Sequence, residues 1–186
     1  MKHRKPLIIH TGALFAALAL APAASAATTA SGSQAVTGTP AAQLAATFPS
    51  AYSFGTLTVG GSGNTSTEQI VNVKSNASWG IKIASDQAAG KMREWNGSAY
   101  VASGNILANA LQWALTSTGG TPVGSPSYAA LSSTSTSLVT SQSRTADAGV
   151  DVGTTFKQLV SYADEQSLAG SNTYRVLVTY DAAQGF

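Results

Sequence analysis

The stretch Val71-Asn72-Val73-Lys74-Ser75-Asn76-Ala77-Ser78-Trp79-Gly80-Ile81-Lys82-Ile83 decides the fold. Val71 and Val73 recur with period two, so they share one face of an extended segment, with Asn72 and Lys74 on the other. A turn at Ser75-Asn76 interrupts the run. Trp79, Ile81 and Ile83 then resume the alternation, opposite Gly80 and Lys82. Apolar residues at every second position, with polar or small residues between, mark half-buried antiparallel strands with a core face and a solvent face.

The same pattern recurs outward from this stretch. Leu111, Trp113 and Leu115 alternate with Gln112 and Ala114. Val152, Phe156, Val160 and Tyr162 stand against Asp151, Lys157 and Ser161. Tyr174, Val176, Val178 and Tyr180 read as one closing strand, with Arg175 and Thr179 on its outer face. Turn residues separate these runs: Gly60 to Asn64, Gly119-Gly120-Thr121-Pro122, Gly124-Ser125-Pro126 and Gly170-Ser171-Asn172. Asn96-Gly97, between residues 92–95 and 98–101, is the sequence signal of a two-residue type I′ hairpin. No segment reads as a helix of three turns. The expected fold is all-β, a single-domain antiparallel β-sandwich, immunoglobulin-like or jelly-roll-like, of about eight or nine strands, with its body over residues 51–186.

The N-terminus reads as an address. Lys2, Arg4 and Lys5 precede a largely apolar run from Leu7 to Leu20, Pro22 breaks it, and Ala24-Ser25-Ala26 supplies the small residues of a cleavage site. Residues 1–26 are therefore expected to be a signal peptide, cleaved after Ala26. The run is shorter than the ~20 residues of a spanning helix, so no membrane span is expected after cleavage. Residues 27–50 read either as a flexible arm or as a first strand near Val36-Thr37-Gly38. As an arm, Val36 and Leu44 would enter alternate pockets of a neighbouring copy. As a strand, they would belong to the same sheet as the rest.

Cleavage changes the chemistry available. The whole chain of 186 residues has a formal charge of +2, but residues 27–186 keep seven basic and eight acidic side chains, a net −1. No basic patch is left to neutralise phosphates, so a nucleic-acid partner is not expected. Both histidines, His3 and His10, lie in the leader, and there is no cysteine. Triads built on histidine, thiolate nucleophiles, disulfides and thiolate or imidazole metal sites are excluded from the mature chain. Charged residues are only 10% of the chain, and Ser and Thr dominate the rest of the polar set, which suits strands and turns.

Few constellations remain. Trp79 and Trp113 lie on apolar strand faces and are expected in the core. Trp95 sits beside the Asn96-Gly97 turn, with Arg93, Glu94 and Tyr100 close in sequence. Trp95, Tyr100 and Tyr128 are the candidate ligand contacts. Asp147 and Asp151 lie four apart around Gly149, but two oxygens fall short of the six to eight that Ca²⁺ takes, so they read as solvated loop acids. Asp164-Glu165 are neighbours in sequence and do not form the facing carboxylates of a glycosidase. No cofactor, metal or catalytic residue is assigned.

The Ser75-Asn76 break followed by Trp79-Gly80-Ile81, with Phe54-Gly55-Thr56-Leu57 upstream and Thr173 to Tyr180 as the closing run, resembles the WxL-type bacterial cell-surface domain. More loosely it is similar to donor-strand fimbrial and matrix-filament subunits. That resemblance implies a β-sandwich at the cell surface, and for WxL domains non-covalent attachment to peptidoglycan. The family's second Trp-x-Leu would fall in the closing strand, where this chain has Tyr180-Asp181-Ala182; its own Trp113-Ala114-Leu115 lies mid-chain. The expectation is a secreted, non-enzymatic structural or adhesive protein, such as a filament, matrix or wall-associated subunit, whose partner is itself or a cell-wall polysaccharide. The alternative is a carbohydrate-binding module.

Overall fold

The longer runs of period-two alternation become paired strand over most of their length, and shorter ladders fill the gaps. The computed structural model describes residues 33–166 and 170–185, so the signal peptide read over residues 1–26 lies outside the described residues. The chain divides into two units, residues 1–39 and 40–186. In the first, the described residues form no strand and Val36 is 89% exposed. Of the two readings of residues 27–50, arm or first strand, a strand does not form at Val36-Thr37-Gly38, and the first strand in that stretch begins at Leu44. One lone apolar residue, followed by Gly38 and a proline without an N–H, gives a ladder nothing to hold.

The second unit carries the strands. In order they are β1 Leu44–Thr47, β2 Asn64–Thr65, β3 Gln69–Ser75, β4 Trp79–Ser85, β5 Lys91–Trp95, β6 Ile106–Ala110 and β7 Gln112–Thr118. β8 Thr121–Pro122, β9 Ala129–Ala130, β10 Thr136–Gln142, β11 Val150–Gln158, β12 Thr173–Arg175 and β13 Val178–Gln184 follow. The 13 strands exceed the eight or nine expected. The excess consists of ladders of two or three residues, too short to show any alternation.

All pairings are antiparallel. One sheet runs β1-β3-β11-β7-β8, with β2 beside β11 and β9 beside β7. A second runs β10-β4-β13, and a third β12-β5-β6. The deciding stretch thus joins two sheets, because β3 belongs to the first and β4 to the second. Val71, Val73, Trp113, Val152 and Phe156 from the first sheet share one apolar cluster with Trp79, Ile81, Ile83, Leu138 and Val139 from the second. Two sheets facing across a common core make a sandwich.

The corner between β3 and β4 is closed by polar side chains. Ser75 Oγ donates to Ala77 O at 2.9 Å. Asn76 donates to Ala41 O at 2.6 Å and accepts from Gln43 N at 2.9 Å, which fixes the approach of β1. Buried Trp79 satisfies its indole N–H on Ser143 O at 2.8 Å. β1 pairs with β3 from Leu44↔Ser75 to Thr47↔Asn72, and Leu44 and Ala46 pack on the core of their own chain. Centrally, Gly153 leaves no room for a Cβ against the Glu68 carboxylate and Ser117 Oγ, beside a register shift between β11 and β7.

Three local expectations are corrected. The strand carrying Phe156 ends at Gln158, and Tyr162 is 94% exposed rather than inward. Asp164 accepts from Ser161 N and Oγ, which turns the chain before the alternation can continue. The closing run is not one strand but two. β12 pairs with β5, whereas β13 pairs with β4. At the switch Asp86 binds Leu177 twice, accepting its N–H on Oδ1 at 2.9 Å and donating its own N–H to Leu177 O at 3.0 Å. The Asn96-Gly97 hairpin is two residues longer than a type I′ turn. Trp95 pairs with Tyr100, and only Gly97, not Asn96, has a positive φ. Asn96 Oδ1 instead accepts the N–H groups of Ser98 and Ala99, an Asx turn that competes with the tighter geometry.

Candidate functional site

In β5 the alternation sorts residues by chemistry. Met92 and Glu94 are buried, while Lys91, Arg93 and Trp95 point to the other, half-exposed face. Residues directly opposite in a ladder share a face. Arg175 of β12 is opposite Arg93, Thr173 is opposite Trp95, and Ile106 of β6 is opposite Arg93. Tyr100 joins by its bridge to Trp95. One outer face therefore collects Lys91, Arg93, Arg175, Trp95 and Tyr100.

Its geometry is that of cations held on rings. The Arg175 guanidinium lies 4.1 Å from the Trp95 ring centroid. That of Arg93 lies 5.8 Å from the Tyr100 centroid. Trp95 and Tyr100 meet edge to face, 5.1 Å apart at 75°. The Tyr100 hydroxyl donates to Asp86 Oδ2 at 2.6 Å, and Asp86 is the carboxylate that also anchors Leu177. Burial, then the hydrogen bond to Asp86 and its charge, push this hydroxyl up to about 12 from an ordinary 10.0, so it remains a donor at neutral pH. Beside the face lies a groove of about 210 Å³ lined by Gln87, Lys91, Arg93 and Ile106, with Ile106 50% exposed.

Behind the same strand Glu94 is 0% exposed. Its Oε2 accepts from Asn105 N at 3.0 Å and its Oε1 from Asn172 Nδ2 at 2.8 Å. Gly104 leaves no space for a Cβ against Glu94. This carboxylate ties the loop after Tyr100 to the loop before β12, and so sets the registry of the outer face. Burial and the charge of Glu94 also raise the Tyr174 hydroxyl above its ordinary value.

Of the three expected contact residues, Trp95 and Tyr100 come together and Tyr128 does not join them. Tyr128 precedes β9 beside the large sheet, where its hydroxyl is 3.1 Å from Thr155 Oγ1 and Lys157 Nζ lies 5.3 Å from its ring. Asp147 lines a second groove of about 380 Å³ with Lys74, Asn76 and Gln43. Asp151 accepts from Asn72 Nδ2 at 2.7 Å. Among the described residues no three His, Cys, Asp or Glu side chains converge as metal ligands. Burial raises Asp164, but bonds from Ser161 and Ala108 N–H groups and the Lys91 charge outweigh it and hold the carboxyl below its ordinary value. Sequence reasoning missed Arg175 as part of the site. Its outward position in the alternation was visible, but its place opposite Arg93 is a matter of register.

No protein-family model matches the chain, and neither a curated protein nor a solved structure matches it. Fold and site together define a class only, an all-β protein of sandwich type with a cationic, aromatic face. Among the described residues no helix is long and apolar enough to cross a membrane.

Proposed function

We propose that this is a secreted, non-enzymatic structural protein of the bacterial cell surface, built to associate with further copies of itself. The observation that carries the reading is the edge strand β13. It pairs with β4 over seven consecutive residues without a register shift, and no strand pairs with its other side among the described residues. It contains no proline and no lysine, and Asp181 is its one charge. Phe48, 46% exposed, stacks 6.3 Å from Tyr180 and adds an apolar rim. A regular, nearly uncharged edge is the usual template for strand addition between chains. The resemblance of residues 71–81 to WxL-type surface domains supports the location. Five of the eight acids support the lack of catalysis, since Glu68, Asp86, Glu94, Asp151 and Asp164 accept scaffold hydrogen bonds.

The sugar-stacking form of the alternative has less support, because Arg175 covers one face of Trp95 and Tyr100 stands edge-on to it. Light scattering and electron microscopy of the purified protein test the assembly reading. The mass should rise with concentration. Thr179→Lys on β13 should weaken association by about tenfold or more, since an edge lysine opposes pairing. Ser137→Lys on the opposite edge, β10, should leave it unchanged. A wild-type protein that stays monomeric at every concentration overturns the reading.

A further inference from the structure

We infer that the outer face of β12-β5-β6 is a binding site for an acidic polysaccharide, with the guanidinium groups of Arg93 and Arg175 as its centre and Lys91 as its flank. Two arginines directly opposite each other in a ladder repel, and like charges in that position destabilise a sheet. Here they are nevertheless placed together, with Lys91 two residues along the same strand face. Three of the seven basic side chains of residues 27–186 therefore share one small sheet. Arg93 Nε is buried without a hydrogen-bond partner. The nearby carboxylates are engaged by the scaffold: Asp86 by the Tyr100 hydroxyl and Leu177 N, and Asp164, which the Lys91 charge reaches, by Ser161 N and Ala108 N.

The rings explain how such a site binds rather than merely repels. A guanidinium lying over an aromatic face is held in one plane, and its N–H groups then point outward from the ring edge. That geometry suits the two oxygens of a carboxylate, which accept in-plane pairs of hydrogen bonds. Trp95 and Tyr100 do this for Arg175 and Arg93 and thereby reduce the side-chain entropy lost on binding. A polymer with a carboxylate on each sugar unit engages several fixed cations at once, which multiplies weak contacts. The groove lined by Gln87, Lys91 and Ile106 continues the face and offers both polar and apolar contact for the neighbouring sugar. With a net charge of −1 over residues 27–186, the body of the protein does not attract polyanions in general, so discrimination rests on this face.

This site is independent of association along β13, and its test reads binding rather than mass. The full chain is passed over immobilised polygalacturonate, an unsubstituted neutral glucan and duplex DNA at about 50 mM and about 500 mM salt, which brackets strong and weak screening. Retention is expected on polygalacturonate alone, at the lower salt, and lost at the higher. Arg93→Gln and Arg175→Gln should each weaken it by about tenfold, and Arg175→Lys should restore only part, since a lysine keeps the charge without the planar fork. Their melting temperatures should stay with the wild type, and Lys74→Gln, on the large sheet, should bind normally. Equal retention on the neutral glucan or on DNA overturns the proposal, as does binding unchanged in both glutamine variants. If a single variant melts early, the comparison of Arg175→Lys with wild type decides, and identical binding by the two overturns the role of the stacked guanidinium.

Discussion

Trp79 and Trp95 are the same residue in two opposite settings. Trp79 opens β4, is 0% exposed, and packs among Val71, Val73, Ile81 and Phe156 in the cluster shared by two sheets. Trp95 closes β5 on a sheet whose buried members, Met92 and Leu107, lie outside that cluster and whose interior holds the carboxylate of Glu94. Around Trp79, apolar area removed from water sets the energy. Around Trp95, hydrogen bonds to one buried acid and cations over rings set it. Apolar packing and the cation-bearing face thus lie in different parts of the chain. The core around Trp79 is closed by packing and by the indole bond to Ser143 O, while the outer face of the smallest sheet carries Lys91, Arg93 and Arg175.

Three substitutions sharpen that contrast. The largest effect is expected for Trp79→Ala, which should lower stability by about 3–5 kcal/mol, the range for deleting a buried large aromatic. Urea unfolding followed by circular dichroism would show it as a fall in the midpoint, and a loss below ~1 kcal/mol would remove Trp79 from the core. Glu94→Ala comes next. It deprives Asn105 N and Asn172 Nδ2 of their acceptor inside the protein, which should cost about 1.5–3 kcal/mol, as for hydrogen bonds to charged groups. Amide exchange should then rise first in residues 96–105 and 170–175, ahead of β3 and β4. The smallest effect on stability belongs to Trp95→Ala, about 1 kcal/mol, because a ring edge and a half-exposed cation–π contact are lost without opening the core. Its signature is functional: retention on polygalacturonate should fall with it, since Arg175 loses the ring that holds it. A Trp95→Ala protein as unstable as Trp79→Ala would erase the comparison.

Much of the fold was legible locally. The alternation at Val71 to Ile83 needs nothing beyond its own period to place Trp79, Ile81 and Ile83 inward, and all three are buried. Val176, Val178 and Tyr180 of the closing run also pack on the core, yet the run serves two sheets. Its period is the same on either side of Val176-Leu177, so only the paired hydrogen bonds to Asp86 reveal the switch. Tyr162 failed for the opposite reason. The pattern ran on past the point where Asp164 turns the chain, and a turn held by a side chain three residues ahead leaves the apolar period unbroken. At the site, Trp95 beside its turn and Tyr100 just beyond it were readable, whereas Tyr128 was expected with them and lies against another sheet.

The strand class, most of the inward set of the core and the lack of His and Cys over residues 27–186 were legible in the sequence alone. Those properties depend on side-chain period and on composition, both local quantities. Only the tertiary structure decided which strands are neighbours. It brought Arg175 opposite Arg93 across 82 residues of chain, buried Glu94 between two loops, and left β13 regular while bulging β10 at Val139. The physical reason is that register is a property of pairs of strands. A shift by one residue would turn each of these side chains to the other face, and no single strand carries the information that forbids it.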